Sequence, residues 1–152
     1  MFKNILLPTD GTEYSDRAIA RCIEFAQSIG AKVTGFHAER EYPLLAYGAY
    51  AEVGDVDTAP PSHEGYDKGE EILAKKSLAS IEAAAKAAGV PCECFYRRAR
   101  HPWEAIIKAA EEKGCDLIFM ASHGEKGMAG LLIGSETTRV LTHTKIPILV
   151  YR

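Results

Sequence analysis

The segment CDLIFMASHGEKGMAGLLIGSETTRVLTHTKIPILVYR, Cys115 to Arg152, decides how the rest of the chain reads. CDLIFMAS is a short run of branched and aromatic apolar residues that gives way to a glycine-bearing loop, so a buried strand is expected there. The loop carries Gly124, Gly127, Gly130 and Gly134. SETTRVLTH, residues 135–143, has helix period, and IPILVY, residues 146–151, is a second apolar run. Strand, loop, helix and strand in that order make a crossover unit, and such units build parallel sheets.

The same alternation runs upstream. KNILLP reads as the first strand, followed by Ile19, Cys22, Ile23, Ala26 and Ile29 at helix spacing, with Thr12 or Ser15 as cap and Gly30 as the stop. AKVTGFHA is the second strand. A long helix is expected over Tyr66–Ala88, with Leu78, Ile81, Ala85 and Ala88 on one face and Gly89 as the stop. VPCECFYRR then makes a third strand, and HPWEAIIKAAEEKG a third helix with Pro102 in its first turn. The fold class is α/β, a single doubly wound, five-stranded sheet in one domain over residues 1–152. Residues 40–65 fit neither period and hold Tyr42, Tyr47, Tyr50, Pro60 and Pro61. They read as a long loop, either a lid or a mobile surface linker.

Composition narrows the function classes. The chain has 152 residues, 47% hydrophobic and 26% charged, with a net charge of -3. That balance gives no electrostatic grip on nucleic acid. No stretch approaches the roughly 20 apolar residues of a membrane span, and MFKNILLPTDG has too short an apolar run for a signal peptide, so a cytoplasmic protein is expected. Cys22, Cys92, Cys94 and Cys115 form no C-x-x-C pair and are expected to be reduced, buried thiols, with Cys92 and Cys94 on one strand face.

In a doubly wound sheet ligands sit outside the carboxyl ends of the strands, which directs attention to the loops after the first and fourth. Asp10 leaves the first strand in PTDGT, as an acceptor for a sugar or base or else as a helix cap or Asx turn. In the other loop the glycines let backbone amides approach a ligand, and Gly134-Ser135 opens a helix whose free N–H groups favour an anion. Turns and a capping serine alone would also account for these residues. No Gly-Lys-Ser/Thr is present, and no dinucleotide fingerprint follows the first strand.

ASHGEKGMAGLLIGS resembles the G-x2-G-x9-G-[ST] motif of nucleotide-binding universal stress proteins, with Gly124, Gly134 and Ser135 in register. ILLPTDGT resembles that family's opening strand and acidic turn, and LIGSETTRVLTHTKIPILVYR its closing helix and strand, so the resemblance spans essentially the whole chain. It implies strand order 3-2-1-4-5, an adenine-nucleotide α-hydrolase-like arrangement, and a homodimer through the C-terminal strand, residues 146–151. It also implies ATP, with Mg2+ or Mn2+ held by the phosphates. On that pattern Asp10 and the backbone near Ala38 meet the adenosine, and Gly124, Gly134, Ser135 and Thr137 take the phosphates. Pro8, Thr9, Met120, Ala121, His123 and Glu136 are the remaining nucleotide-binding positions it implies.

Three positions depart from the pattern: Ala121 replaces the first motif glycine, Glu125 a basic residue, and Glu136 sets a carboxylate beside the phosphate-binding serine. That carboxylate would repel a triphosphate unless it points to solvent or shares a cation. Function therefore reads as ATP binding in a stress-response protein with at most slow hydrolysis. Two alternatives stand beside it, a ligand-free dimeric interaction module of the same family and an adenylyl-transferring or ATP-cleaving enzyme. An enzyme needs a positioned base or extra cations on the leaving phosphate, and only His123 and Lys126 lie in the loop, so no catalytic residue is assigned.

Overall fold

A computed structural model of the chain describes residues 1–44, 62–122 and 133–152. The described elements run β1 (Asn4–Pro8), α1 (Glu13–Ile29), β2 (Lys32–Arg40), α2 (His63–Ala88), β3 (Cys92–Ala99), α3 (Pro102–Glu112), β4 (Leu117–Ala121), α4 (Ser135–His143) and β5 (Ile148–Tyr151). The sheet has the order β3-β2-β1-β4-β5, and every pairing is parallel. β1 is therefore central, and the first four of its five residues, Asn4 to Leu7, are buried. Crossover helices cover both faces, so an inner strand has no solvent side and reads as an unbroken apolar run.

Alternate residues of the strands feed two cores. Ile5, Leu7, Val33, Leu117 and Phe119 pack under α1 and α2 against Ile19, Cys22, Ile23, Ala26, Leu78, Ile81 and Ala85. Leu6, Phe36, Ile118 and Met120 pack on the other face against Ala105, Ile106, Ala109, Ala110 and Val140 of α3 and α4. Ile81 is fully buried, and truncating such a residue to alanine costs about 2–5 kcal/mol.

At the amino ends of the strands the polar groups satisfy one another. The Asp116 carboxylate accepts from the backbone N–H of Lys3 and of Asn4, Asn4 Nδ2 donates to the Lys113 carbonyl, and Thr34 Oγ1 donates to Asn4 Oδ1. Burial opposes the Asp116 charge, but those backbone donors hold its carboxyl below the usual carboxylate range.

Several boundaries differ from the sequence reading, with β5 beginning at Ile148 rather than Ile146 among them, and two flank the expected long loop. β2 continues two residues past Ala38, because Glu39 and Arg40 pair with Arg98 and Ala99 of the long third strand. α2 starts at His63 rather than Tyr66, since Ser62 Oγ accepts from the Gly65 N–H at 3.1 Å and caps the helix ahead of its glycine. The expected long loop is shortened at both ends, and residues 45–61 lie outside the described part of the chain. The cysteines also differ in part: Cys22 and Cys115 are buried free thiols, but Cys92 and Cys94 are only half-buried, because their strand forms an edge of the sheet. Among the described residues no helix is long and apolar enough to cross a membrane.

Candidate functional site

β1 and β4 are neighbours that separate beyond their carboxyl ends, one leading to α1 and the other toward α4. Pro8 is in register with Phe36, two residues before Ala38, so Pro8, Thr9, Asp10 and Ala38 gather at one end of the sheet with Met120 and Ala121. Thr9 is buried, and its N–H donates to the Phe36 carbonyl at 2.9 Å.

The turn after β1 is held by its own side chains. Asp10 Oδ1 accepts from the Thr12 N–H at 3.1 Å, the Thr12 hydroxyl at 2.7 Å and the Ser15 hydroxyl at 2.6 Å. Thr12 in turn accepts from the Ser15 N–H as N-cap of α1. The Asx-turn alternative for Asp10 thus describes one of its oxygens. Between them Gly11 sits at φ +77°, and a Cβ there would lie 2.5 Å from Ser77 Oγ. Only glycine fits both the backbone and the space.

The start of α4 is built differently. Its N-cap, Gly134, has φ -67° and ψ 158°, and among the described residues no side chain caps the helix. The Gly134 N–H donates to the Ser122 carbonyl at 2.6 Å, and Thr137 Oγ1 donates to the Ala121 carbonyl at 3.0 Å, so the helix start is tied to the end of β4. Thr137 is buried and Ser135 exposed. The first-turn N–H groups from Ser135 to Thr137 lie outside the intrahelical ladder and carry the positive end of the helix dipole.

Glu136 resolves the apparent charge conflict. Its Oε2 accepts from the Trp103 N–H at 2.9 Å, at the first turn of α3, where the N-cap His101 makes no side-chain bond of its own. Arg139 Nη1 lies 3.7 Å from Oε1. The carboxylate therefore faces a second helix start and a guanidinium, and with its side chain still 41% exposed it is open to solvent as well. His123 and Gly124 lie outside the described residues, as do Gly127 and Gly130.

Two buried polar residues of β2 were not singled out from sequence. His37 is 3% exposed, and its Nδ1 has no partner among the described residues. Burial pushes its imidazole below the ordinary range, opposed by the Glu70 charge and a hydrogen bond with the Thr9 backbone. Glu39, 5% exposed, is raised by burial, with Arg98 Nε 3.8 Å from Oε2 opposing the shift. The signal was available: His37 and Glu39 continue the inward alternation of Val33 in VTGFHAER, where a strand core has no use for polar side chains.

The universal stress protein family model matches residues 1–152. The chain is 32% identical over 152 residues to a Thermus aquaticus protein described as "universal stress protein in QAH/OAS sulfhydrylase 3'region", with 100% of both chains covered. It is 27% identical over 158 residues to universal stress protein MJ0577 of Methanocaldococcus jannaschii, covering 100% of this chain and 96% of that one. The solved structure of MJ0577 superposes with a TM-score of 0.77 at 26% identity, covering 99% and 95% of the two chains. The same fold recurs in a universal stress protein in complex with cAMP, at a TM-score of 0.70 and 23% identity over 99% and 97%. It recurs again in an Archaeoglobus fulgidus universal stress protein in complex with dAMP, at 0.66 and 16% over 100% and 98%. A whole-length family match, a relative alike from end to end and the shared strand order leave one conclusion: the chain belongs to the universal stress protein family.

Proposed function

We propose that the crevice between the ends of β1 and β4 holds ATP. The observation that carries this reading is the start of α4, which offers first-turn N–H groups with no side-chain cap beside the end of a central strand. The geometry fits an anion, because the one carboxylate in that turn faces the Trp103 N–H instead. Ser135, with its exposed hydroxyl, takes a phosphate oxygen, whereas Thr137 acts by fixing the helix start to Ala121. Pro8, Thr9, Asp10 and the Ala38 backbone meet the nucleoside, with Asp10 held in place by Thr12 and Ser15. His123 and Gly124 complete the phosphate end.

A divalent cation, Mg2+ or Mn2+, enters on the phosphates and spreads their charge. Support for an adenine nucleotide comes from the family members solved with cAMP and with dAMP. In this reading the protein is a cytoplasmic, nucleotide-binding stress-response protein that hydrolyses ATP slowly or not at all. Its subunits pair through residues 146–151, since β5 is an edge strand and an unprotected edge invites a second copy.

Titration calorimetry with ATP, repeated with AMP as competitor, tests the site. Saturable ATP binding that weakens without the β and γ phosphates supports the assigned orientation. Absence of binding at millimolar ATP would leave the ligand-free dimeric module as the better account, and AMP or ADP accumulating during long incubation would point to an enzyme.

A further inference from the structure

Cys92 and Cys94 take no part in the crevice. They lie in the first half of β3, opposite Val33 and Gly35 of β2, toward the other end of the sheet. Two residues apart on a strand they share one face, here against the core under α1 and α2, and their sulfurs are 3.7 Å apart. Both are half-buried. An open hollow of about 480 Å³ lies beside Cys94, bordered also by Lys75, Leu78, Glu82, Phe95 and Tyr96.

We propose that Cys92 and Cys94 form a reversible dithiol–disulfide site for hydroperoxides, with Cys92 as the attacking and Cys94 as the resolving thiol. The Cys92 thiolate attacks one peroxide oxygen, the O–O bond breaks, and the departing oxygen takes a proton to leave as water or an alcohol. Cys92 is then a sulfenic acid. Cys94 gives up its proton, its sulfur attacks the Cys92 sulfur, and hydroxide leaves as water while the S–S bond forms. Two thiols lose two electrons and the peroxide gains them. An external thiol attacks one sulfur to give a mixed disulfide, and a second thiol releases the protein sulfur and leaves as the oxidised external disulfide, which restores the pair.

In the contact between the sulfurs either thiol can donate, so the roles are assigned from what surrounds each thiol. The hydrogen bond with Cys94 lowers the Cys92 thiol, against the opposing effects of burial and of the Glu82 and Glu93 charges. The same bond, together with burial, raises Cys94. Cys92 is accordingly assigned as the nucleophile, an assignment that the two cysteine variants test. Two strand residues span about 6.6 Å between Cα atoms, near the upper limit of about 6.8 Å for a disulfide, so closure must pucker the strand. β3 can pucker because only β2 bonds to it, and Gly35 leaves room for the Cys94 sulfur: a Cβ there would lie 2.5 Å from it. A disulfide closed at that limit is readily reduced, which keeps the site reversible.

The test oxidises the reduced full-length chain with hydrogen peroxide, blocks free thiols with iodoacetamide, and reads the tryptic peptide Ala87–Arg97 by mass spectrometry. That peptide holds both cysteines and neither Cys22 nor Cys115. It should appear unalkylated and lighter by two hydrogens, and return to the doubly alkylated form after dithiothreitol. In Cys94→Ala the disulfide should be lost and a dimedone adduct appear on Cys92; in Cys92→Ala neither should form. Full double alkylation of the wild-type peptide after excess peroxide would overturn the proposal without recourse to any variant. So would a Cys94 dimedone adduct in Cys92→Ala as abundant as the Cys92 adduct in Cys94→Ala.

Discussion

Two helices begin at the carboxyl end of the central strands, and they begin in opposite ways. α1 starts behind a closed set of side chains, Thr12 capping and Asp10 bound to Thr12 and Ser15, over a glycine with positive φ and no spare volume. α4 starts at a glycine with ordinary extended backbone and no side-chain cap. The first arrangement satisfies the helix from within, which is what stability asks for. The second leaves the first-turn donors without a cap from the N-cap residue, the arrangement on which the proposed anion site rests. A glycine at the head of a helix thus has two meanings, and φ tells them apart: +77° at Gly11 against -67° at Gly134.

The sharpest way to break this contrast is to fill both glycines. Gly11→Ala forces a side chain onto positive φ and against Ser77, and should cost about 2–4 kcal/mol of stability by chemical denaturation. Gly134→Val meets no backbone objection and should leave stability within about 0.5 kcal/mol. It should nevertheless weaken ATP tenfold or more, about 1.4 kcal/mol, in calorimetry. If Gly134→Val unfolds the protein, or binds ATP as the wild type does, the contrast is lost.

The capping residues give a smaller and complementary pair. Thr12→Ala should lower stability by about 1 kcal/mol while the ratio of ATP to adenosine affinity stays fixed. Ser135→Ala should do the reverse, holding the melting temperature and weakening ATP by about 0.5–1.5 kcal/mol.

Much of this was legible in the sequence because β1 and β4 are buried on both faces and so read as continuous apolar runs. The stops at Gly30 and Gly89 were equally plain, since both helices do end there in left-handed glycines. The start of α2 was hidden: its cap, Ser62, follows two prolines, and Gly65 and Gly69 dilute the helical period. The gathering of Asp10 with the start of α4 could be anticipated from strand order. The partner of Glu136 could not, because a bond from one helix to the first turn of another leaves no spacing to read.

The polar residues of β2 sharpen the comparison through pH. The folded His37 is held below its ordinary range by burial, so the unfolded chain binds its proton first. Stability should therefore be unaffected by His37 above about pH 6.5 and should fall as pH drops from there toward the lower folded value. A His37→Gln variant should flatten that limb in denaturation curves taken across the window; an unchanged slope would remove His37 as its source.

The least effect is expected at Glu136, where Glu136→Thr removes the acceptor from the Trp103 N–H. It should cost about 0.5–1 kcal/mol of stability, leave adenosine unchanged, and tighten ATP by a few tenths of a kcal/mol, about twofold at most, visible only at low salt. Tightening that persists at high salt would mean that the carboxylate faces the ligand after all.

That carboxylate also sets a limit on transplantation. Grafted into another scaffold, residues 121–139 would bring Glu136 but not the Trp103 amide that occupies it, since that amide belongs to a different helix. With only Arg139 left to hold it, the charge would be freer to turn toward the phosphates of the proposed ligand. The portable unit is accordingly discontinuous, and it must include the first turn of α3.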